Sequence, residues 1–204
     1  GPGEILNNGT LVMDKLEGSG TTLNGNISGS GAIVVRGGGT LNLRGTNNTF
    51  TGPATVEFGN LDIARNNALG DTNTGTTVLA GSRLGITTLG NYEISEPVTL
   101  NGDGLVNFPG ALYVNTASNK VTWLGPVTLA SSSRIRAVNN YIYLGFSNRV
   151  AGADQGLWVS AEGNASSTVA FLDTLNLGTG SLTKDGAGPM ILAGATNIAG
   201  GTTV

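Results

Sequence analysis

One glycine-rich pattern occurs twice in the sequence, and this duplication constrains the fold more than any other feature. The first copy begins at Gly29 and the second at Gly178, and one constant shift places one on the other. Six glycines then coincide, because those at 29, 31, 37, 39, 45 and 52 fall on those at 178, 180, 186, 188, 194 and 201. Leu43 and Asn48 likewise fall on Leu192 and Asn197. Internal repetition of this kind predicts a repeat architecture.

Short runs of alternating apolar and polar residues fill the chain between the glycines. Residues 32–35, 40–43 and 54–58 are examples, and Gly or Asn punctuates the runs throughout. Alternation over three to five residues, with a turn signal about every 8–12 residues, predicts an all-β fold. Only residues 62–69, which end at Gly70, could form a short helix, and a plain loop explains them almost as well.

Two all-β architectures, a β-sandwich and a β-solenoid, compete to explain this pattern. The solenoid is favoured because the strands are many, short and evenly spaced. Gly and Asn also tolerate the left-handed conformation that sharp corners require. Aromatic residues make up only 5% of the chain, which suits a thin aliphatic core better than a sandwich core. At roughly 20 residues per coil, the chain would form about ten coils.

Composition excludes several classes of function. The net charge of −3 gives no electrostatic basis for binding nucleic acid or anionic lipid. The chain has no cysteine for disulfides or thiolate metal sites, and no histidine, the commonest general base and zinc ligand. We therefore expect no cofactor and no metal. No apolar run approaches the roughly 20 residues that a membrane-spanning helix needs.

A chain of 204 residues suits a single domain. Residues 1–3, Gly-Pro-Gly, look like the remnant of a cleaved tag, which leaves 4–204 as one β-helix segment. The second glycine pattern ends with the sequence, where a further strand should follow. We therefore expect a segment cut from something longer, with exposed coil edges at which molecules could stack end to end.

The two glycine signatures, at 29–56 and 178–204, resemble the autotransporter-associated β-strand repeat, also called the passenger-associated transport repeat. That repeat has two short strands among Gly-x-Gly motifs, then an asparagine and a Gly-Gly-Thr-Thr-Val close. Residues 180–204 follow it closely, whereas the first copy closes with Gly-Pro-Ala-Thr-Val at 52–56. The direct resemblance covers about a quarter of the chain.

The resemblance implies a right-handed parallel β-helix in the passenger of a bacterial autotransporter. It also implies a C-terminal β-barrel translocator in the same protein. The expected location is the cell surface or the medium, reached through the outer membrane of a Gram-negative bacterium. Each coil of a solenoid contacts only its neighbours, so folding can propagate stepwise as a chain emerges from a pore. The leading interpretation is a non-enzymatic rod that aids secretion and presents other passenger regions.

Two other functions stay open. The segment could be an adhesin that binds a glycan or protein of the host or matrix, or it could be a carbohydrate-active β-helix enzyme. A hydrolase needs two carboxylates roughly 5–9.5 Å apart, and the thirteen acidic residues are scattered. We therefore predict no catalytic residues. Asp103 and Asp154 lie in glycine-rich stretches, but each supplies one carboxylate, so a turn is a better interpretation than a calcium site.

Residues 134–143 contain the one candidate binding surface. Four of their side chains would form an outward-facing patch: Arg134, Arg136, Tyr141 and Tyr143. The prediction requires Ile135, Ala137 and Ile142 to point inward, because side chains alternate along a strand. Exposed Arg and Tyr are enriched at recognition surfaces, and Trp123 and Trp158 could extend the patch. The competing interpretation is that the tyrosines cover a coil edge and both tryptophans fill the core.

Overall fold

In the computed structural model, residues 3–87, 90–116, 120–139, 142–163 and 165–204 are described. This part of the chain is all β, and its strands stack in parallel as a β-solenoid of about 8 turns with ~23 residues per turn. The solenoid predicted from the sequence is confirmed. Residues 62–69 form the end of a strand followed by turns. Of the two alternatives for this segment, the structure therefore shows the loop and not the short helix. The described residues contain no helix that could cross a membrane.

The described residues form twenty-four strands. In chain order they are β1 (Ile5–Leu6), β2 (Thr10–Asp14), β3 (Gly20–Leu23), β4 (Ile27–Ser28), β5 (Ala32–Arg36), β6 (Thr40–Leu43), β7 (Ala54–Val56), β8 (Gly59–Ile63), β9 (Thr76–Val78), β10 (Ser82–Ile86), β11 (Tyr92–Ile94), β12 (Val98–Gly102), β13 (Leu112–Asn115), β14 (Lys120–Trp123), β15 (Val127–Val138), β16 (Tyr143–Phe146), β17 (Val150–Gly152), β18 (Leu157–Ala161), β19 (Thr168–Phe171), β20 (Leu175–Gly178), β21 (Leu182–Asp185), β22 (Met190–Leu192), β23 (Thr196–Ile198) and β24 (Thr202–Thr203).

Strands at equivalent positions in successive coils form parallel ladders on up to three sides. The first side carries β2, β5, β7, β9, β12, β17, β20 and β23. The second carries β3, β6, β8, β10, β13, β18, β21 and β24. The third carries the pair β1–β4 and, further along, β11, β14, β16, β19 and β22. The long strand β15 joins the first side and then the second.

Coil length varies along the solenoid, as the strand register shows. The step from Gly20 to its partner Thr40 is short, whereas the step from Leu84 to its partner Leu112 is clearly longer. Later coils become shorter again, as in the step from Leu182 to its partner Thr202. The expectation of roughly 20 residues per coil and about ten coils is therefore corrected to ~23 residues per turn and about 8 turns. The extra residues lie at corners, above all between β12 and β13.

The core consists of inward-facing columns of side chains. One column on the second side crosses six coils with almost complete burial: Leu41, Leu61, Leu84, Leu112, Ile135 and Val159. On the third side, Trp123 pairs with Phe146, which pairs with Phe171. The Phe146 and Phe171 rings stack with centroids 5.2 Å apart. Removal of this apolar surface from water is the main favourable contribution to folding.

Glycine at the corner before the first side lets successive coils approach closely. A Cβ added to Gly52 would overlap the carbonyl oxygen of Gly31, and one added to Gly31 would overlap that of Gly9. A Cβ added to Gly9 itself would meet nothing within 4 Å. None of the three has a left-handed φ, so coil spacing, not backbone conformation, requires glycine at 31 and 52.

The two copies of the glycine pattern occupy different sides of the solenoid. The strands of the first copy are β5 and β6, on the first and second sides. The strands of the second copy are β21 and β22, on the second and third sides. The local order of strand, corner and strand is therefore preserved, while its position in the coil has moved by one side.

Candidate functional site

The outer surface of the second side carries a set of arginines and aromatic rings, which we call the arginine ladder: Arg83, Tyr113, Arg134, Arg136 and Trp158. Strands β10, β13, β15 and β18 hold these residues in register, so that Tyr113 pairs with Arg136 and Arg134 pairs with Trp158. The side chains between them, Ile135 and Ala137, are fully buried. Alternation along β15 thus places both arginines outside.

One half of the ladder links five coils, from β8 to the residue after β18, through charge and ring contacts. The Arg83 Nη2 atom lies 3.7 Å from Oδ1 of Asp62, and the Arg83 guanidinium lies 4.5 Å from the centre of the Tyr113 ring. The Arg136 guanidinium lies 5.8 Å from the centre of the same ring. The Nε and Nη2 atoms of Arg136 donate hydrogen bonds to the two carboxylate oxygens of Glu162 at 3.0 and 2.7 Å. Hydrogen bonding to Glu162 raises the pKa of Arg136.

The other half of the ladder is centred on Arg134. Its guanidinium lies 3.8 Å from the centre of the Trp158 ring. Its Nη1 atom is 3.8 Å from Oδ2 of Asp185, and its Nε atom is 4.0 Å from Oδ1 of Asp103. The Trp158 indole N–H donates a hydrogen bond to the same Asp185 oxygen at 2.8 Å. Arg134 on β15 therefore contacts strand β18, strand β21 and the loop after β12.

The positive charges of the arginine ladder are thus paired with carboxylates of the same molecule. Each arginine has a carboxylate from another coil within 4.0 Å, and the side chains of Arg134 and Arg136 are only 12% and 18% exposed. Planar guanidinium groups suit such paired and stacked contacts. The arrangement ties coils together and leaves little of either arginine free for a partner. Trp158, at 38% exposure, is the most open part of it.

The predicted patch is divided between two sides of the solenoid. Arg134 and Arg136 lie on the second side, whereas Tyr143 lies on the third, where Lys120 Nζ is 5.7 Å from its ring centre. Tyr141 lies outside the described residues. Of the two tryptophans, Trp123 is fully buried. A binding role for the four predicted residues stays a prediction.

Sequence reasoning missed two members of the ladder, Arg83 and Tyr113, and the carboxylate that pairs with Arg136, Glu162. Arg83 and Tyr113 lie in strands of their own, and Glu162 follows β18 directly. Their contacts with β15 arise only from the register between coils. The signal that could have found them is the spacing between Tyr113 and Arg136, which equals one coil.

Two acidic side chains are buried: Asp62, which pairs with Arg83, and Glu96. Burial raises the pKa of Asp62, while Arg83 and the Thr87 hydroxyl oppose that rise. Burial also raises the pKa of Glu96 from its ordinary 4.5 to about 7. The Thr76 hydroxyl donates a hydrogen bond to Glu96 Oε1 at 2.9 Å and opposes the rise, whereas the charge of Asp71 adds to it.

We expect Glu96→Gln to be more stable than the wild type at about pH 8 and equally stable in acid, below the ordinary pKa of glutamate. A carboxyl whose folded pKa exceeds its unfolded value favours folding only while protonated, so wild-type stability falls as pH rises from about 4.5 to about 7. Glutamine keeps an acceptor for Thr76 and cannot ionise. Free energies of unfolding from denaturant titrations should differ by up to about 3 kcal/mol at the alkaline end, the equivalent of a pKa shift from 4.5 to about 7. Parallel pH profiles for the two proteins would assign the pH dependence to other groups.

The described residues contain no group of three or more acidic side chains that could hold a metal ion together. Asp103 contacts Arg134, as described above. Asp154 has a left-handed φ of 63°, and its Oδ1 accepts a hydrogen bond from the Thr179 backbone N–H at 2.9 Å. That bond lowers the pKa of Asp154. Both carboxylates therefore have structural contacts at turns.

The fold and its repeats define a parallel β-solenoid repeat protein. Comparison with protein-family models gives a match to the passenger-associated-transport-repeat at residues 33–63 and 182–204. These segments overlap the two glycine-rich copies, so the resemblance found in the sequence is confirmed for this part of the chain. Neither the curated proteins nor the solved structures include a match to this chain.

Proposed function

We propose that the chain is a structural segment of an autotransporter passenger, whose stepwise folding aids secretion and whose solenoid holds other passenger regions away from the cell. The observation that carries this proposal is the strand ladder. Strands pair with the strands one coil before and one coil after them, so that paired residues such as Gly20 and Thr40 are close in the sequence. Stability is then a sum over neighbouring coils, so a partly emerged chain can already fold.

The proposed setting follows from the passenger repeats. The partner is a C-terminal β-barrel translocator of the same protein, and the location is the cell surface or the medium outside a Gram-negative outer membrane. Each coil that folds outside makes return through a pore less favourable, because its backbone hydrogen bonds and buried side chains would have to be broken. The role is mechanical, and no reaction is assigned to it.

Surface display tests the proposal. Residues 4–204 would be placed between an N-terminal epitope and a β-barrel translocator, with Gly52→Ala as the variant and Gly9→Ala as the matched control. Gly52→Ala should destabilise its coil by roughly 2 kcal/mol, because the new Cβ overlaps backbone. Gly9→Ala adds the same methyl group in open space. Antibody labelling of intact cells should fall several-fold for Gly52→Ala alone.

Total protein in each strain must be measured beside surface labelling, since proteolysis of an unfolded passenger also lowers the signal. Purified Gly52→Ala protein provides the independent measure of coil stability. Wild-type display of a variant whose coil is demonstrably destabilised would reject folding as an aid to secretion.

Adhesion is the second candidate function. It is favoured by two phenylalanine side chains that stand exposed on the solenoid, Phe58 and Phe108. Exposed rings of this kind are enriched where proteins recognise partners. The predicted patch at Arg134 and Arg136 is the less attractive location, because both guanidinium groups are engaged within the molecule.

A further inference from the structure

An insertion distinguishes one corner of the solenoid from the others. Residues 103–111 separate β12 from β13 and lengthen the coil in which Leu84 pairs with Leu112. The insertion is held at its base by an antiparallel bridge between Gly104 and Pro109. The Gly110 N–H also donates a hydrogen bond to the carbonyl oxygen of Asp103. It is therefore a built loop, which we call the corner loop.

The corner loop forms one wall of a cleft of about 580 Å³. Leu105, Val106 and Phe108 line it from the loop, while the opposite lining comes from within residues 17–20, 38–40, 58–60 and 81. Five successive coils contribute, so the cleft runs along the solenoid axis and across the strands. At 4.7–4.9 Å per strand, four steps give a length of about 19 Å. A volume of this size falls in the usual range for ligand sites.

Two phenyl rings border the cleft. Phe58 is 52% exposed and Phe108 is 56% exposed, although rings of this size normally bury most of their surface. The Phe58 ring lies over Gly38, where its Cε1 atom is 3.1 Å from the position of an added Cβ. Glycine at position 38 therefore leaves space for the Phe58 ring, and no side chain of residue 38 covers this part of the cleft floor.

The rest of the lining is polar and nearly uncharged. Asn60 donates a hydrogen bond through Nδ2 to the Thr40 hydroxyl at 3.0 Å, and Ser19 and Asn107 add further hydroxyl and amide groups. Among the described residues that line the cleft, Glu17 is the single charged one, and none is arginine or lysine. Charge complementarity thus disfavours sulfated, phosphorylated or acidic ligands. An elongated site with apolar rings, amides and hydroxyls suits a neutral, hydroxyl-rich chain.

We propose that this cleft binds a neutral oligosaccharide, with its sugar rings against Phe58 and Phe108 and its hydroxyl groups against Thr40 and Asn60. The proposal deepens the second candidate function, adhesion, and is independent of the role in secretion. An extended apolar peptide is the competing occupant, and the polar floor disfavours it because buried amides and hydroxyls would lose their water without new partners.

Binding of defined sugars to the whole chain tests the proposal. The probes are neutral tri- to hexasaccharides of the cello-, chito-, malto- and manno- series, first on an array and then by titration calorimetry. At least one series should bind, and Phe58→Ala and Phe108→Ala should each weaken binding by at least about tenfold. Trp158→Ala is the matched control, since it removes a partly exposed aromatic ring outside the cleft, and it should leave binding unchanged.

Three outcomes would overturn the proposal. One is the absence of binding in all four series. A second is binding that both phenylalanine variants retain, and a third is loss of binding in Trp158→Ala to the same degree. Because Phe58 and Phe108 stand on separate elements and are half exposed, circular dichroism should show both variants folded. Surface display of the chain is measured separately, so failure here leaves the secretion proposal standing.

Discussion

Trp123→Ala is expected to destabilise the solenoid by about 4 kcal/mol, the largest single-residue effect that we predict. Trp123 is the largest fully buried side chain among the described residues. It lies in the third-side column next to Phe146, and its indole N–H donates a hydrogen bond to the Glu96 carbonyl oxygen at 2.8 Å. Truncation leaves a cavity between coils and an unpaired carbonyl group. Urea denaturation followed by circular dichroism provides the measurement.

Trp158→Ala is the control for Trp123→Ala, because it removes the same side chain from the outer surface. Trp158 is held by one hydrogen bond and by its contact with Arg134, so we expect a loss of roughly 1 kcal/mol. Equal destabilisation by the two replacements would show that the core of the third side contributes no more than the arginine ladder.

The solenoid could be predicted from the sequence because its signals are local. Alternation over a few residues sets which side chains face inward, as in Thr40–Leu43, where Leu41 and Leu43 are buried. Glycines such as Gly52 mark corners where one backbone approaches the next. Both signals can be read within one coil, without knowing which coil lies beside it.

Coil length and the position of each repeat could not be predicted in this way. The two copies have the same local pattern, yet β5 lies on the first side and β21 on the second. A corner can absorb extra residues without changing the strands, as the corner loop between β12 and β13 does. Sequence spacing in one copy therefore does not determine the side occupied by the other.

The contacts of the candidate site depend on register between coils, whereas the basic residues of the two motif copies differ because they occupy different positions in their strands. Arg36, at the end of the first strand of the first copy, is exposed and forms an ion pair with Asp14 at 2.9 Å. Lys184, near the end of the first strand of the second copy, is buried, and its ammonium group donates to the carbonyl oxygens of Asp185 and Gly186 at 2.7 Å. The two basic residues differ in environment because Lys184 falls on the inward-facing Val35 under the constant shift between the copies, whereas Arg36 falls on Asp185.

Asn48→Ala should destabilise the chain by about 3 kcal/mol, although it removes only one small polar side chain. Asn48 is 3% exposed and connects three coils. Its Oδ1 accepts a hydrogen bond from the Ile27 N–H at 2.9 Å, and its Nδ2 donates one to the Ala68 carbonyl oxygen at 2.7 Å. Alanine would leave both backbone groups buried without partners, and each costs about 1–3 kcal/mol.

The second glycine pattern offers a control for Asn48→Ala at its own motif position. Asn197 is exposed and donates a hydrogen bond to Asn176 Oδ1 at 3.0 Å. When Asn197 is replaced by alanine, water can hydrogen-bond to Asn176 in its place. We expect Asn197→Ala to cost no more than about 0.5 kcal/mol. A comparison of the urea midpoints of the two variants then distinguishes an effect of the motif position itself from an effect of the surrounding coils. If both replacements cost the same, the asparagine acts through the local conformation of its turn, and bridging between coils contributes nothing to its effect.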